Sequence, residues 1–174
     1  MLKVMKRLFK ILILVIGFNL LAVANKTRPE EMKMDQMVWY AINDAGIKYP
    51  DIVFAQAILE SDKMTSKLFI KAKNIFGMRF PVRRPTVAID KFKKGYAIYD
   101  SWNSSVEDYL LFQQWIMRNR TFTRDQYFNY LDKMYCETGG YSKKLKRVLN
   151  DYKNILSQYT LDYIEYKQDS ISNL

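Results

Sequence analysis

The stretch that decides the fold is Ile52-Val53-Phe54-Ala55-Gln56-Ala57-Ile58-Leu59-Glu60, preceded by Pro50-Asp51. Proline suits the first turn of a helix, and an acidic residue there is favoured by the positive end of the helix dipole. The segment is apolar on nearly every side, which is typical of a helix covered by its neighbours. We therefore predict a central, buried helix that ends at Glu60.

Glu60 stands at the end of this apolar helix, and the pattern breaks at Ser61. A carboxyl beside apolar surface loses hydration, which raises its pKa, and the negative end of the helix dipole acts in the same direction. A carboxyl that is protonated near neutral pH can give its proton to a departing glycosidic oxygen. The alternative is an exposed acid at a helix end, which the residue pattern by itself favours.

Helical periodicity continues on both sides of the central helix. One helix is predicted over 30–45, and a short one over 66–72. Another is predicted to begin at a cap formed by Ser104 or Ser105, and two more cover 123–134 and 141–159. The chain is thus expected to be mainly α-helical.

The region between Pro81 and Tyr99 has a different pattern. Pro81 and Pro85 exclude a helix. The runs 86–89 and 96–99 flank Lys93-Lys94-Gly95, which predicts a small β-hairpin. The hairpin and the residues just before it are strongly basic, which could steer the protein toward an anionic partner or could be a solvated charged surface. The six basic residues are Arg79, Arg83, Arg84, Lys91, Lys93 and Lys94.

The composition limits the possible chemistry. The chain has no histidine, and Cys136 is its one cysteine. Ser-His-Asp and Cys-His catalysis, internal disulfides and most zinc sites are therefore excluded. Acid–base chemistry has to come from carboxylates, tyrosine or lysine, and no metal or cofactor is implied.

Residues 1–24 have the pattern of a signal peptide, with Lys3, Lys6 and Arg7 before an apolar run and an A-x-A site at Ala22-Val23-Ala24. The protein is expected in the periplasm or outside the cell, with membrane contact only through this segment, although an uncleaved anchor is the alternative. The leader holds four bases and no acids, so the remainder keeps +6 of the formal charge of +10. Such a charge suits a polyanionic surface such as cell-wall polymer or lipid headgroups, and nucleic acid is not an expected partner.

Residues 55–61, Ala-Gln-Ala-Ile-Leu-Glu-Ser, resemble the A-Q-A-x-x-E-S signature of the glucosaminidase family of bacterial cell-wall hydrolases, glycoside hydrolase family 73. Three further segments are similar to elements of that family in the same order. They are 74–78 (Asn-Ile-Phe-Gly-Met), 96–109, which ends in Asp108-Tyr109, and 135–145, which contains Tyr135 and Tyr141. The resemblance covers about 50–149.

The resemblance implies a lysozyme-like α-helical domain with a small β-hairpin lobe beside the active cleft. It also implies an endo-β-N-acetylglucosaminidase that cleaves the β-1,4 bond after N-acetylglucosamine in peptidoglycan glycan strands. The expected organisation is a signal peptide at 1–24, a leading helix segment at 25–49, the glucosaminidase domain at 50–165 and a frayed tail at 166–174.

The same resemblance suggests roles for individual side chains. Glu60 matches the catalytic acid, and Tyr135 and Tyr141 match two cleft tyrosines that could support a water or bind the N-acetyl group. For both tyrosines, packing at a helix start is the alternative. A sugar platform is suggested for aromatic residues that could equally pack in the core: Phe76, Tyr96 and Tyr99.

The second catalytic group is left open. An inverting enzyme needs a base about 6.5–9.5 Å from the acid. Family members often carry it in a T-T-E-like stretch of the hairpin, whereas the corresponding Pro85-Thr86-Val87-Ala88 has no acid. Asp90 is the nearest substitute, with a solvated hairpin residue as its alternative. The N-acetyl oxygen of the substrate could act instead.

Three other functions are compatible with the sequence. The missing hairpin acid suggests a catalytically inactive peptidoglycan-binding module on the same fold. A muramidase or lytic transglycosylase is the second, since one fold can host different bond choices. A basic membrane-active protein anchored by residues 1–24 is the third.

Overall fold

The computed structural model describes residues 32–135 and 139–172, so the predicted signal peptide at 1–24 lies outside the described residues. Seven α-helices occur within these ranges. They are α1 (Met34–Asp44), α2 (Pro50–Glu60), α3 (Lys67–Ala72), α4 (Trp102–Met117), α5 (Arg124–Tyr135), α6 (Tyr141–Asp151) and α7 (Lys153–Ser172). No helix in the described ranges is long and apolar enough to span a membrane.

Helix α2 lies at the centre of the domain, as the sequence predicts. Every residue from Ile52 to Ile58 is buried, including Gln56. Helices α1 and α6 pack against it most extensively. Pro50 occupies its first turn and Ser61 ends it, so that Glu60 is its last helical residue. Helix α2 therefore has no polar stripe because the rest of the domain covers it on all sides.

Two helix boundaries differ from the prediction. Helix α4 is capped by Ser101, whose side chain accepts from the Ser104 N–H at 3.1 Å, rather than by Ser104 or Ser105. The helix predicted over 141–159 is two helices, because Tyr152 leaves the helical conformation between α6 and α7. The apolar spacing runs on through this break, which is why periodicity does not reveal it.

The predicted frayed tail at 166–174 is also corrected, since α7 continues to Ser172. Two side chains of α7 hold the end of α1. The Tyr163 hydroxyl donates to Asp44 at 2.8 Å, and the Lys167 ammonium lies 2.8 Å from the same carboxylate. Tertiary contacts of this kind extend a helix whose sequence is too polar to indicate it.

The β-hairpin is present, but its first strand is shorter and later than predicted. Strand β1 (Asp90–Lys91) pairs antiparallel with β2 (Ala97–Ile98), and Lys93–Gly95 forms the turn. Residues 86–89 are not a strand, because the Asp108 side chain binds one of their backbone N–H groups. The Val87 N–H donates to the Asp108 carboxylate at 3.3 Å.

Asp108 fastens the segment before the hairpin to α4. Its buried carboxylate accepts two hydrogen bonds from the Arg84 guanidinium, at 2.9 and 2.7 Å, and one from the Tyr99 hydroxyl at 2.7 Å. Burial alone would raise the pKa of Asp108, but the hydrogen bonds from Arg84, Thr86 and Tyr99 outweigh it and hold that pKa below its usual value.

Candidate active site

Glu60 is half-buried at the end of α2, as its position after an apolar run suggests. Burial raises the pKa of its carboxyl above the usual value, while a hydrogen bond from Tyr141 and the charge of Lys144 offset part of that rise. The Tyr141 hydroxyl donates to Glu60 Oε1 at 2.7 Å. A carboxyl in this setting holds its proton to higher pH than a solvated one, as a general acid requires.

The turn at 74–78 covers the other side of Glu60. The buried amide of Asn74 closes this turn, because it donates to the carbonyls of Met78 and Ala97 at 2.7 and 2.9 Å and accepts from the Met78 N–H at 3.0 Å. The bond to Ala97 also ties the turn to strand β2. Asn74 thereby joins the hairpin to the wall of the site.

Gly77 is the point of closest approach in that turn. Its φ of +63° is one that side-chain-bearing residues rarely adopt, and a Cβ placed there would lie 3.0 Å from Glu60 Oε2. Glycine adopts this φ without strain and leaves room for the carboxyl. This is a physical reason for glycine in the Asn74–Met78 motif.

Tyr141 reaches Glu60 because it is the first residue of α6. Gly140 precedes it with a φ of +88°, and Asp132 of α5 accepts from the Ser142 N–H at 2.7 Å, which fixes the start of the helix. Tyr141 is buried. The structure thus brings Tyr141 into hydrogen-bond contact with Glu60, and its role toward a substrate stays a prediction.

Phe76 and Tyr99 do not form a sugar platform. Phe76 is fully buried, and its ring packs 4.4 Å from that of Tyr109. Tyr99 is 2% exposed and uses its hydroxyl on Asp108. Both predictions are corrected to core packing, because aromatic residues that flank a turn cannot be assigned to its inner or outer side from sequence alone.

Tyr96 and Asp90, the two remaining hairpin predictions, lie on either side of the turn at Lys93–Gly95. Tyr96 is half-buried, with the Arg79 guanidinium 5.2 Å from its ring centre. Asp90 is exposed on β1, and its Oδ1 accepts from the Lys91 N–H at 2.7 Å. Tyr135 ends α5, and its side chain lies outside the described residues.

Two residues near the acid are missed by the sequence analysis. Lys144 lies one turn after Tyr141 on α6, and only the tertiary packing brings its charge to Glu60. Gln56 is fully buried one turn before Glu60, and its Nε2 lies 3.4 Å from the Tyr141 hydroxyl. A glutamine inside an otherwise apolar helix is itself a signal, since a buried amide requires partners. Across residues 32–135 and 139–172, no group of carboxylates and thiols is arranged to hold a metal ion.

The fold resembles that of the catalytic domain of an autolysin. The crystal structure of the catalytic domain of the autolysin Auto from Listeria monocytogenes matches with a TM-score of 0.50 and 22% sequence identity, over 79% of this chain and 93% of that one. This likeness confirms the predicted fold class, mainly α-helical with a small β-hairpin. Comparison with curated proteins gives no match.

A match to a protein-family model identifies the family of the chain. Residues 36–154 match the glucosaminidase model, described as mannosyl-glycoprotein endo-β-N-acetylglucosaminidase. The match includes α2 with Glu60, the turn with Gly77, and Tyr141, so it contains every residue of the site described above. More than half of the chain is covered. The chain belongs to the glucosaminidase family.

Proposed function

We propose that this protein is an exported peptidoglycan hydrolase, an endo-β-N-acetylglucosaminidase that cleaves the β-1,4 bond after N-acetylglucosamine, with Glu60 as its general acid. The observation that carries the proposal is the half-buried Glu60 carboxyl, whose pKa is raised by burial and which accepts a hydrogen bond from Tyr141. Family membership supports glycoside hydrolysis. The net positive charge, which is +6 outside residues 1–24, and the likeness to an autolysin catalytic domain favour an anionic cell wall as the substrate.

The proposed reaction begins with transfer of the Glu60 proton to the glycosidic oxygen as the bond to the anomeric carbon breaks. Glu60 becomes a carboxylate, and the Tyr141 hydroxyl already points at Oε1 to stabilise it. The anomeric carbon then has to be attacked, either by a water that a base deprotonates or by the N-acetyl oxygen of the substrate. Asp90 is the proposed base in the first version.

Substitution of Asp90 by asparagine separates these two versions. Asp90 is exposed and bonded to its own strand, so the substitution should leave folding unchanged. If Asp90 is the base, kcat should fall by about 10²–10⁴-fold. Near-full activity in Asp90→Asn would instead assign the attack to the substrate's N-acetyl group. Release of reducing ends from purified peptidoglycan measures the rate, and Asp125→Asn is a control at another exposed aspartate.

The products of peptidoglycan digestion test the bond that is cleaved. We expect mass spectrometry to find fragments with N-acetylglucosamine at the reducing end. Reducing-end N-acetylmuramic acid would identify a muramidase, and a 1,6-anhydro end would identify a lytic transglycosylase. Sedimentation of the protein with peptidoglycan that it leaves intact would support the inactive binding module instead. Detection of the mature N-terminus at Asn25 in secreted material would test the proposed export.

A further inference from the structure

A buried chain of hydrogen bonds runs from Glu60 into the core of the domain. Tyr141 donates to Glu60 at 2.7 Å, and its oxygen accepts from Gln56 Nε2 at 3.4 Å. The other end of the same amide, Gln56 Oε1, accepts from the Tyr109 hydroxyl. Helices α2, α4 and α6 are thus linked through side chains that end at the proposed acid.

The far end of the chain is anchored to backbone. Gln113 Nε2 donates to the Lys48 carbonyl at 2.9 Å, while Gln113 Oε1 accepts from the Lys48 N–H at 2.7 Å. An amide donates only from nitrogen and accepts only at oxygen, so Lys48 fixes the orientation of Gln113. The second Nε2 proton of Gln113 then goes to the Tyr127 hydroxyl at 3.1 Å. Tyr127 lies 2.7 Å from the Tyr109 hydroxyl.

These partners determine the direction of every bond. A hydroxyl has one proton, and that of Tyr109 goes to Gln56 Oε1, which can only accept. Tyr127 must therefore donate to Tyr109. Burial raises the pKa of Tyr127 to about 12, so its hydroxyl keeps this proton at neutral pH. Because Oε1 of Gln56 is occupied, Nε2 faces Tyr141, and the Tyr141 proton is directed to Glu60.

We propose that this chain of side chains acts as a relay that fixes the direction in which Tyr141 donates, so that Glu60 always has a hydrogen-bond donor. The relay consists of four positioning residues: Gln113, Tyr127, Tyr109 and Gln56. The inference rests on the proposed role of Glu60 as the acid. Its consequence is that a donor is in place when Glu60 loses its proton to the glycosidic oxygen, while Tyr141 keeps its own proton throughout.

Other charged groups near Glu60 are few in the part of the chain that the structure describes. On α6, the charge of Lys144 and the hydrogen bond from Tyr141 both lower the Glu60 pKa. The turn at 74–78, which covers its other side, contains no charged residue. Loss of the Tyr141 donor should therefore raise the Glu60 pKa further, because a hydrogen bond to the ionised form favours that form.

Substitution of Tyr109 by phenylalanine tests the relay at a residue that does not bond to Glu60. Without the Tyr109 donor, the Gln56 amide can turn and offer Oε1 to Tyr141, which then competes with Glu60 for the Tyr141 proton. We expect the Glu60 pKa to rise in Tyr109→Phe and in Tyr141→Phe, and the double variant to match Tyr141→Phe alone. Carbon-13 NMR titration of the Glu60 carboxyl in the full chain, assigned by its loss in Glu60→Gln, measures this without any substrate.

Kinetics provide the second readout. In Tyr141→Phe we expect kcat on peptidoglycan to fall by on the order of tenfold or more, with a smaller loss in Tyr109→Phe and KM unchanged in both. The basic limb of the pH profile of kcat/KM should move to higher pH together with the NMR pKa. If the NMR pKa moves and the basic limb does not, the relay stands and the proposed role of Glu60 fails.

Two further variants provide a control and a replacement for Tyr109→Phe. Tyr40→Phe is the matched control, since Tyr40 is a buried tyrosine paired with a glutamine, Gln36, outside the relay, and it should leave the Glu60 titration unchanged. Tyr127→Phe serves if Tyr109→Phe does not fold, and it should raise the Glu60 pKa by less. The relay is wrong if the Glu60 pKa is raised in Tyr141→Phe but keeps its wild-type value in folded Tyr109→Phe or Tyr127→Phe.

Discussion

Substitution of Glu60 by glutamine should abolish most peptidoglycan hydrolysis, with kcat lowered by about 10²–10⁴-fold and KM nearly unchanged. Glutamine has the shape of the acid and can still accept from Tyr141 through its carbonyl oxygen, but it has no proton to give to the leaving oxygen. Glu107→Gln is the matched control, because Glu107 is exposed on α4. Full activity in Glu60→Gln would remove Glu60 from the proposed chemistry.

The same substitution should remove a pH-dependent part of the stability of the fold, which separates a loss of chemistry from a loss of structure. Because burial raises the Glu60 pKa, the folded state holds this proton more tightly than the unfolded state does. That contribution to stability is present below the unfolded pKa and is lost as the pH rises through the folded pKa. Glutamine is neutral at every pH, so it avoids the cost of a buried ionised carboxyl, which the wild type incurs as the pH rises through the folded pKa of Glu60.

Thermal unfolding at two pH values measures this effect. We expect the melting temperature of Glu60→Gln relative to wild type to be higher at pH 7 than at pH 4. Glu107→Gln should show no such pH-dependent difference, since its side chain is exposed. A melting temperature that is lower in Glu60→Gln at both pH values would show that the glutamate is structural.

Replacement of Arg84 by methionine should lower the free energy of unfolding by about 3–5 kcal/mol at pH 7. The guanidinium makes two hydrogen bonds to the fully buried Asp108, and methionine leaves that carboxylate without its charge partner. Removal of one member of a buried ion pair costs more than the net value of the pair, because the remaining charge stays desolvated. Urea unfolding monitored by circular dichroism gives the value.

The loss of stability in Arg84→Met should depend on pH, in a direction set by the shift of the Asp108 pKa. The pKa of Asp108 is lowered in the folded protein, so its contribution to stability is present above the unfolded value and is lost as the pH falls through the folded pKa. In Arg84→Met the deficit should therefore shrink at acidic pH, where Asp108 becomes protonated. Arg83→Met is the control at the neighbouring, exposed arginine. If Arg84→Met lowers the free energy of unfolding by less than about 1 kcal/mol, the Arg84–Asp108 pair is no stronger than a surface ion pair.

The sequence by itself determined the class of the fold and its centre. A helix that is apolar on every side can only be stable when it is covered, so residues 52–58 required neighbouring helices, and the structure supplies α1 and α6. Two prolines excluded a helix at the hairpin. The helix pattern by itself favoured an exposed acid at Glu60, and the resemblance of four segments to the family motifs made this residue the candidate acid.

Only the tertiary structure decided which side chains surround that acid. Periodicity states that a residue faces inward but not what it faces, so Phe76 and Tyr99 could not be distinguished from cleft residues until their partners Tyr109 and Asp108 were known. The direction in which Tyr141 donates is set by partners up to 85 residues away along the chain. Hydrogen bonds between such distant positions leave no local pattern, because each helix carries only one half of every pair.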